Sequence, residues 1–385
     1  MLRSSAFTKF FQTKFPKLEY LDLSDNELCD RFFTHANFQQ IKTLESLNLN
    51  RNPELETLDA NINQLTALRT LKLEQTCIVQ LPLNFSNLKH LTELQINGSG
   101  LQILPGNIGN LSELKILGCR ENGLQNLPDS FCFLNSLEEL DLGENIITHL
   151  PQNFGMLKKL KHFNLDDNDL YSLPQTFGEL EGLESLDISK NYIEDLPFET
   201  NWTNLVEFTA TSNKIVSLPA SIGKCENLEI LKVDENELDE LPESIGLCNS
   251  LQELILNDNQ IMALPSVVGR LENLIFLNVN GNMLRSVPRE VGNLDKLKIL
   301  SLRNNSLSLL SDWKYLKNSI SEKCRIQTCS IIFRLFFIYL LIIFQFHPRF
   351  TFFSNNFSIF SHFSVPISHR DQQSIQPDRS RLVKQ

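Results

Sequence analysis

One phrase recurs along this chain and leaves it few folds to choose from. LEELDLGENIITHLP begins at Leu137, LKHFNLDDNDLYSLP at Leu160, LESLDISKNYIEDLP at Leu183, LEILKVDENELDELP at Leu228 and LQELILNDNQIMALP at Leu251. Thirteen such units run from Leu18 to Leu310. The step is 23 residues, apart from 26 and 24 at the start and 22 into Leu205. A fixed period of this size marks a stack of identical units rather than a domain folded around one centre.

Each position in LxxLxLxxN has a physical task. Side chains alternate along a strand, so the fourth and sixth residues share the buried side and those between them face out. No unit can bury its own apolar edge, so units must stack into a continuous core. The predicted fold class is α/β: a curved leucine-rich-repeat solenoid of about thirteen repeats, with a parallel concave sheet and an irregular or short-helical convex side. At about 4.8 Å per strand the concave face should extend over roughly 60 Å. The ninth position is asparagine in most units, including Asn122, Asn145, Asn168, Asn191, Asn213, Asn236, Asn259, Asn282 and Asn305. An amide both donates and accepts, so this ladder should satisfy backbone groups of its own coil and of the next. Thr76 and Ser99 replace it in adjacent units, where a looser ladder is expected. Ten prolines from Pro82 to Pro288 close the phrase; with φ fixed and no N–H, they favour extended or short helical turns over long helices.

Charge and motifs narrow the function. The chain carries a formal −11. Residues 311–385 hold ten Lys/Arg and four Asp/Glu, a net +6, which leaves −11 − 6 = −17 for residues 1–310. Such an acidic body disfavours nucleic acid, whose phosphates need cations, and suits basic protein segments. No GxGxxG, GxxxxGK[ST], HExxH or GxSxG motif occurs, and the seven histidines do not cluster. No catalytic residue, cofactor site, metal site or small-molecule substrate is therefore expected. Cys225 and Cys248 recur one period apart, in GKCENL and GLCNSL. They read as small buried side chains rather than a metal or redox pair.

The outward positions are the better place to seek function. They include Glu139, Asp141 and Glu144 in one unit, Asp166 and Asp167 in the next, then Asp187, and further on Asp234, Glu235 and Asp258. Arg120 and Arg303 lie toward either side of this run. The expectation is an acidic concave groove for a basic partner segment, charge serving chiefly to steer and select.

Several runs carry a closer resemblance. LKVDENELDELPESIGLCNSLQELILNDNQIMALP, LQILPGNIGNLSELKILGCRENGLQNLPDSF and LNVNGNMLRSVPREVGNLDKLKILSLRNNSL resemble the repeat portion of the LAP family, the leucine-rich-repeat and PDZ scaffolds that include Scribble, Erbin and Densin. The likeness covers about residues 16–310. It implies a non-enzymatic scaffold binding polarity, junction or receptor-associated proteins at the cytoplasmic face of the basolateral membrane, in signalling and apical–basal polarity. Departures from the family pattern are plain. Neither PDZ strands nor a carboxylate-binding loop can be read in residues 311–385, and the first cysteine is Cys29, inside a repeat. A second expectation is a Ras-pathway repeat scaffold of the SHOC type, binding a GTPase or a phosphatase.

The expected organisation is a lead-in or partial cap at 1–17, the repeat domain at 18–310, a degenerate cap or linker at 311–330, an apolar segment at 331–346 and a disordered tail at 347–385. The start of the sequence shows no apolar secretory stretch, which makes a cytoplasmic repeat domain the expectation. The segment IIFRLFFIYLLIIFQF is interrupted only by Arg334 and Gln345. As a helix its sixteen residues would reach about 24 Å, short of a hydrocarbon core near 30 Å. It reads as a marginal membrane helix. The break in pattern at 311 is expected to mark an alternative final exon or intron read-through.

Overall fold

A computed structural model describes residues 15–30 and 38–307, together with the backbone of Arg325–Gln327. Every repeat contributes one three-residue strand: β1 Tyr20–Asp22, β2 Ser46–Asn48, β3 Thr70–Lys72, β4 Glu93–Gln95, β5 Ile116–Gly118, β6 Glu139–Asp141, β7 His162–Asn164, β8 Ser185–Asp187, β9 Glu207–Thr209, β10 Ile230–Lys232, β11 Glu253–Ile255, β12 Phe276–Asn278 and β13 Ile299–Ser301. All pair in parallel, in chain order, within one open sheet. Equivalent residues sit opposite each other, as in Glu139↔His162↔Ser185. From the second repeat on, the first, fourth and sixth residues of the phrase are buried, as with Leu137, Leu140 and Leu142.

A fourteenth strand, β14 at Arg325–Gln327, pairs with β13. It falls inside the stretch expected to be a degenerate cap or linker. Ile299 lies opposite Arg325, so the last leucine-rich coil has a backbone partner on its outer edge. The apolar segment 331–346 and the tail beyond it lie outside the described residues. Among the described residues no helix is long and apolar enough to cross a membrane.

On the convex side the short helical turns expected from the sequence are eleven 3-10 turns among the described residues. Proline sets them up. Pro128, Pro174, Pro219, Pro242, Pro265 and Pro288 precede their turns with φ between −69 and −62°, and each carbonyl accepts the N–H three residues on, as Phe177 donates to Pro174 at 2.8 Å. The residue three after proline is the plug, Phe85, Ile108, Phe131, Phe154, Phe177, Ile222 or Ile245, each fully buried. Glycine follows most plugs because adjacent turns nearly touch: a Cβ on Gly155 would collide with the carbonyl oxygen of Thr176 one coil on.

The asparagine ladder runs backwards relative to expectation. Asn145 Nδ2 donates to Leu142 and Gly143 of its own coil and to Cys119 of the preceding one, at 2.9 to 3.0 Å. Its Oδ1 accepts from Leu124 N–H, also in the preceding coil, at 3.0 Å. Asn168, Asn191, Asn213, Asn236, Asn259, Asn282 and Asn305 repeat this pattern, and Asn122 bridges back to Ile96 and Leu101. The direction follows from the turn. The side chain leaves the strand toward the coil already laid down, whose carbonyls would otherwise be buried without partners. Thr76 and Ser99 do not break the stack. Ser99 Oγ donates to Leu73 O of the preceding coil at 2.7 Å and accepts from Thr76 Oγ1 at 3.2 Å, while β2, β3 and β4 keep their register.

Just before each ladder position the backbone turns left-handed. Asp25, Arg51, Gln75, Glu121, Glu144, Asp167, Lys190, Ser212, Glu235, Asp258 and Asn304 all have φ between 51 and 56°. Gly98 and Gly281 fill the equivalent positions at 61 and 62°. Most units thus tolerate a side chain in a conformation that L-residues resist.

The 22-residue unit is repaired by aromatics. Trp202 takes the place of the leucine that follows the turn in other coils. It is fully buried, and packs edge-on against Phe177 and Phe208 with centroids 6.0 and 5.7 Å away. Phe131, Phe154 and Phe177 stack into the same column. Thr200, at the plug position, is buried and shares a 2.9 Å hydrogen bond with Ser221, so the shortened coil leaves no orphan hydroxyl there. Cys225 and Cys248 hold the same slot as Trp202 in the next two coils. Both are free, buried thiols, and Cys248 donates to Ile222 O at 3.4 Å. Burial pushes their pKa values up to about 12 and about 11, which keeps them protonated.

Candidate functional site

The outward residues of β4–β9 line a groove of about 420 Å³. Its walls include Gln95, Ile116, Glu139, Asp141, His162, Asn164, Ser185, Asp187, Glu207 and Thr209. Four are carboxylates, and neither lysine nor arginine stands among the lining residues. Three acids expected from the repeat register, Glu139, Asp141 and Asp187, are here. Glu207 and His162 complete the groove and were not singled out. Glu207 could have been found by counting strand positions through the 22-residue step, which moves the outward residue by one.

The other acids named from sequence are placed differently. Arg120 does not flank the acidic run; it is held inside it. Its guanidinium donates to Asp166 Oδ1 at 2.6 Å and Oδ2 at 3.1 Å, and to Glu144 Oε1 at 2.6 Å, with Asp141 Oδ1 at 3.7 Å. The reach from Arg120 to Asp166 crosses an entire coil. Gly143 makes it available, because a Cβ there would collide with Arg120 Nη1 and Asp166 Oδ1. The sequence signal was LDLGEN, where glycine stands at an outward position. Asp166 hydrogen-bonding raises the Arg120 pKa still further. Burial holds the Asp141 carboxyl above its usual range, against the opposing pull of the Gly143 N–H and Arg120.

Beyond the groove, Asp234 accepts from Thr211 Oγ1 at 2.8 Å and Asp258 from Asn257 Nδ2 at 2.9 Å. Glu235 and Arg303 are exposed. Asp167 lies on the rim, where Lys190 Nζ approaches to 3.4 Å. Toward β10–β13 the outward positions become mixed: Ile230, Ile255, Phe276 and Ile299 are half-buried on the same face, beside Lys232, Glu253, Asn278 and Ser301. Among the described residues no group of three or more His, Cys, Asp or Glu could hold a metal ion.

Residues 34–149 and 222–319 match the leucine-rich repeat region family. The chain belongs to that family. None of the curated proteins matches it. Among solved structures, a leucine-rich-repeat protein of Leptospira interrogans is 28% identical, with a TM-score of 0.64 over 80% of this chain and 84% of that one. The plant peptide hormone receptor RGFR1, solved in complex with RGF2, is 26% identical with a TM-score of 0.58; the match covers 85% of this chain and 61% of the receptor chain. An internalin of Listeria monocytogenes shares the fold at 20% identity, with a TM-score of 0.67, 84% of this chain and 93% of that one covered. Leucine-rich repeat proteins of this kind are generally interaction modules, and the plant receptor among these structures was solved with RGF2.

Proposed function

We propose that this chain is a non-catalytic scaffold that takes a basic segment of a partner protein into the groove over β4–β9. The observation that carries the reading is the groove's charge. Glu139, Asp141, Asp187 and Glu207 face it, while the bordering cations are already matched, Arg120 by Glu144 and Asp166 and Lys232 by one groove acid, Glu207, at 3.5 Å. A long curved sheet face suits an extended ligand, and the plant receptor of the same fold was solved with its partner bound. The likeness of the LKVDEN and GCREN runs to LAP scaffolds favours a partner from cell polarity or junctions and a place at the inner face of the basolateral membrane.

The test is Glu139→Lys combined with Asp187→Lys. Reversing Asp166 would be a poorer choice, because that residue is committed to Arg120. Binding of a lysine- and arginine-rich peptide should weaken at least about tenfold at low salt, roughly 1.4 kcal/mol, with a flatter salt dependence. Ile255→Ser with Phe276→Ser should leave it nearly unchanged. Equal affinity and salt slope in the charge-reversed protein would sink the groove. For the polarity reading, the tagged chain should concentrate at lateral contacts of polarised epithelial cells. Uniform cytosolic signal, with co-precipitation of a GTP-loaded Ras protein, would replace it with the Ras-pathway scaffold.

A further inference from the structure

Outside the concave groove, on the rim where the chain leaves the strands, three successive coils build an aromatic shelf. Tyr171 and Tyr192 stack with centroids 5.3 Å apart and planes within 19°. Both are large rings in water, 59% and 43% exposed. Lys214 Nζ sits 5.6 Å from the Tyr192 centroid, closing one end of the stack with a cation. The other end, Tyr171, is open. One period earlier its place is held by Thr148, which is too short to cover a ring. Core packing does not account for the pair, because the buried positions of these coils are already filled by Leu170, Leu173 and Ile193.

Beside the shelf lies a second groove of about 430 Å³, with Ile146, Asp167, Asp169, Lys190 and Tyr192 in its walls. It thus offers an apolar wall, an aromatic wall and two carboxylates. Lys190 is the competing cation, but its 3.4 Å contact with Asp167 joins two side chains that are both more than half exposed, and such pairs are weak.

We infer that this rim is a second binding site, for an arginine side chain presented by a partner protein. A guanidinium is flat, stacks on an aromatic face and meets a carboxylate with two parallel N–H groups. An ammonium can do only the Coulombic part. Tyr171, stacked on the groove residue Tyr192, supplies the uncovered ring face at the groove's edge, Asp169 and Asp167 the carboxylates, and Ile146 a surface for the methylenes. The Lys214–Tyr192 contact shows the stack already holding one cation at its closed end. Ligand recognition here uses none of the groove acids Glu139, Asp141, Asp187 and Glu207, so it stands or falls apart from the concave groove.

The experiment uses the full chain with 13C-labelled tyrosine; with only five tyrosines in the sequence, ring signals can be assigned by substitution. The probes are the pentapeptide Gly-Arg-Gly-Arg-Gly and its lysine twin. The arginine peptide should shift the Tyr171 and Tyr192 ring signals and bind at least about fivefold more tightly than the lysine peptide. Tyr171→Ala with Tyr192→Leu should abolish that preference, Asp167→Asn with Asp169→Asn should weaken binding at least about fivefold, and Tyr192→Phe should retain it. Glu139→Lys with Asp187→Lys should leave it unchanged. Equal affinity for the two peptides, or an arginine preference that survives loss of both rings, would overturn the inference.

Discussion

The middle of the sheet, β5–β9, and its C-terminal end, β10–β13, are built on one core and present different faces. Both bury the same leucines and carry the same asparagine bridges. On the middle strands the outward residues include four carboxylates, Glu139, Asp141, Asp187 and Glu207; on the last ones the same two rows carry Ile230, Ile255, Phe276 and Ile299 alongside Lys232, Glu253, Asn278 and Ser301. The difference shows where selection of residue type is loose. An inward position must fill a slot between two coils at close-packed density. An outward one touches no neighbouring coil's interior, so it is free to carry charge or apolar surface for a ligand.

If the core is shared, damage to the ladder should be severe in both regions. Asn168→Ala and Asn259→Ala each remove the donated and accepted bonds that tie two coils together. Each should cost about 3 kcal/mol, since buried carbonyls are then left unpaired. Urea unfolding of the two variants should give losses within about 1 kcal/mol of each other; a clear inequality would break the comparison.

Gly143→Ala should act in the middle only. The added methyl collides with Arg120 and Asp166, and a displacement of this kind costs about 1–2 kcal/mol. In an Arg120→Ala background the cost should shrink, as residues sharing one contact are not additive. Additive losses in the double variant would show that Arg120 is not held there.

Alkaline pH probes both regions through their buried thiols. Burial holds Cys119 in the middle far above 9.0, and Cys225 and Cys248 toward the end up to about 12 and about 11. A raised folded pKa means that the unfolded chain releases these protons first. The stability these thiols contribute is therefore complete below pH 9 and is lost as pH rises through the folded values, at up to about 1.4 kcal/mol per pH unit for each thiol. Thermal unfolding at pH 8 and pH 10 should show the drop, and Cys225→Ala with Cys248→Ala should reduce it. A pH-independent transition over that range would refute the argument.

The smallest effect is expected at the left-handed positions. Glu235→Gly relieves backbone strain at φ 53° and gives up only an exposed hydrogen bond from Ser212, so it should stabilise by no more than a few tenths of a kcal/mol, because the unfolded chain gains freedom too. Glu144→Gly should lack that gain, since it also removes a carboxylate from Arg120. Chemical denaturation resolves the pair; a larger gain for Glu144→Gly would mean that its ion pair contributes nothing.

Much of this molecule was legible from its repeat. Period, register, buried leucines, proline turns and asparagine positions follow from local rules that each coil obeys separately, and so the architecture could be read from the sequence alone. The acids Glu139, Asp141 and Asp187 could be placed on the face by counting, because period-two alternation needs no tertiary knowledge. What counting could not supply was the contact between coils. Arg120 meets Asp166 two coils away only because Gly143 leaves the path clear; Trp202 fills a gap that the missing residue opens; Asn145 turns toward the preceding coil rather than the next; Arg325–Gln327 extends the sheet from a stretch that has lost the motif. The sequence by itself determined the solenoid, since the same short-range pattern is met thirteen times. Only the tertiary structure decided which charges cancel and which remain to face a partner, because that depends on side chains from different coils competing for the same few ångströms.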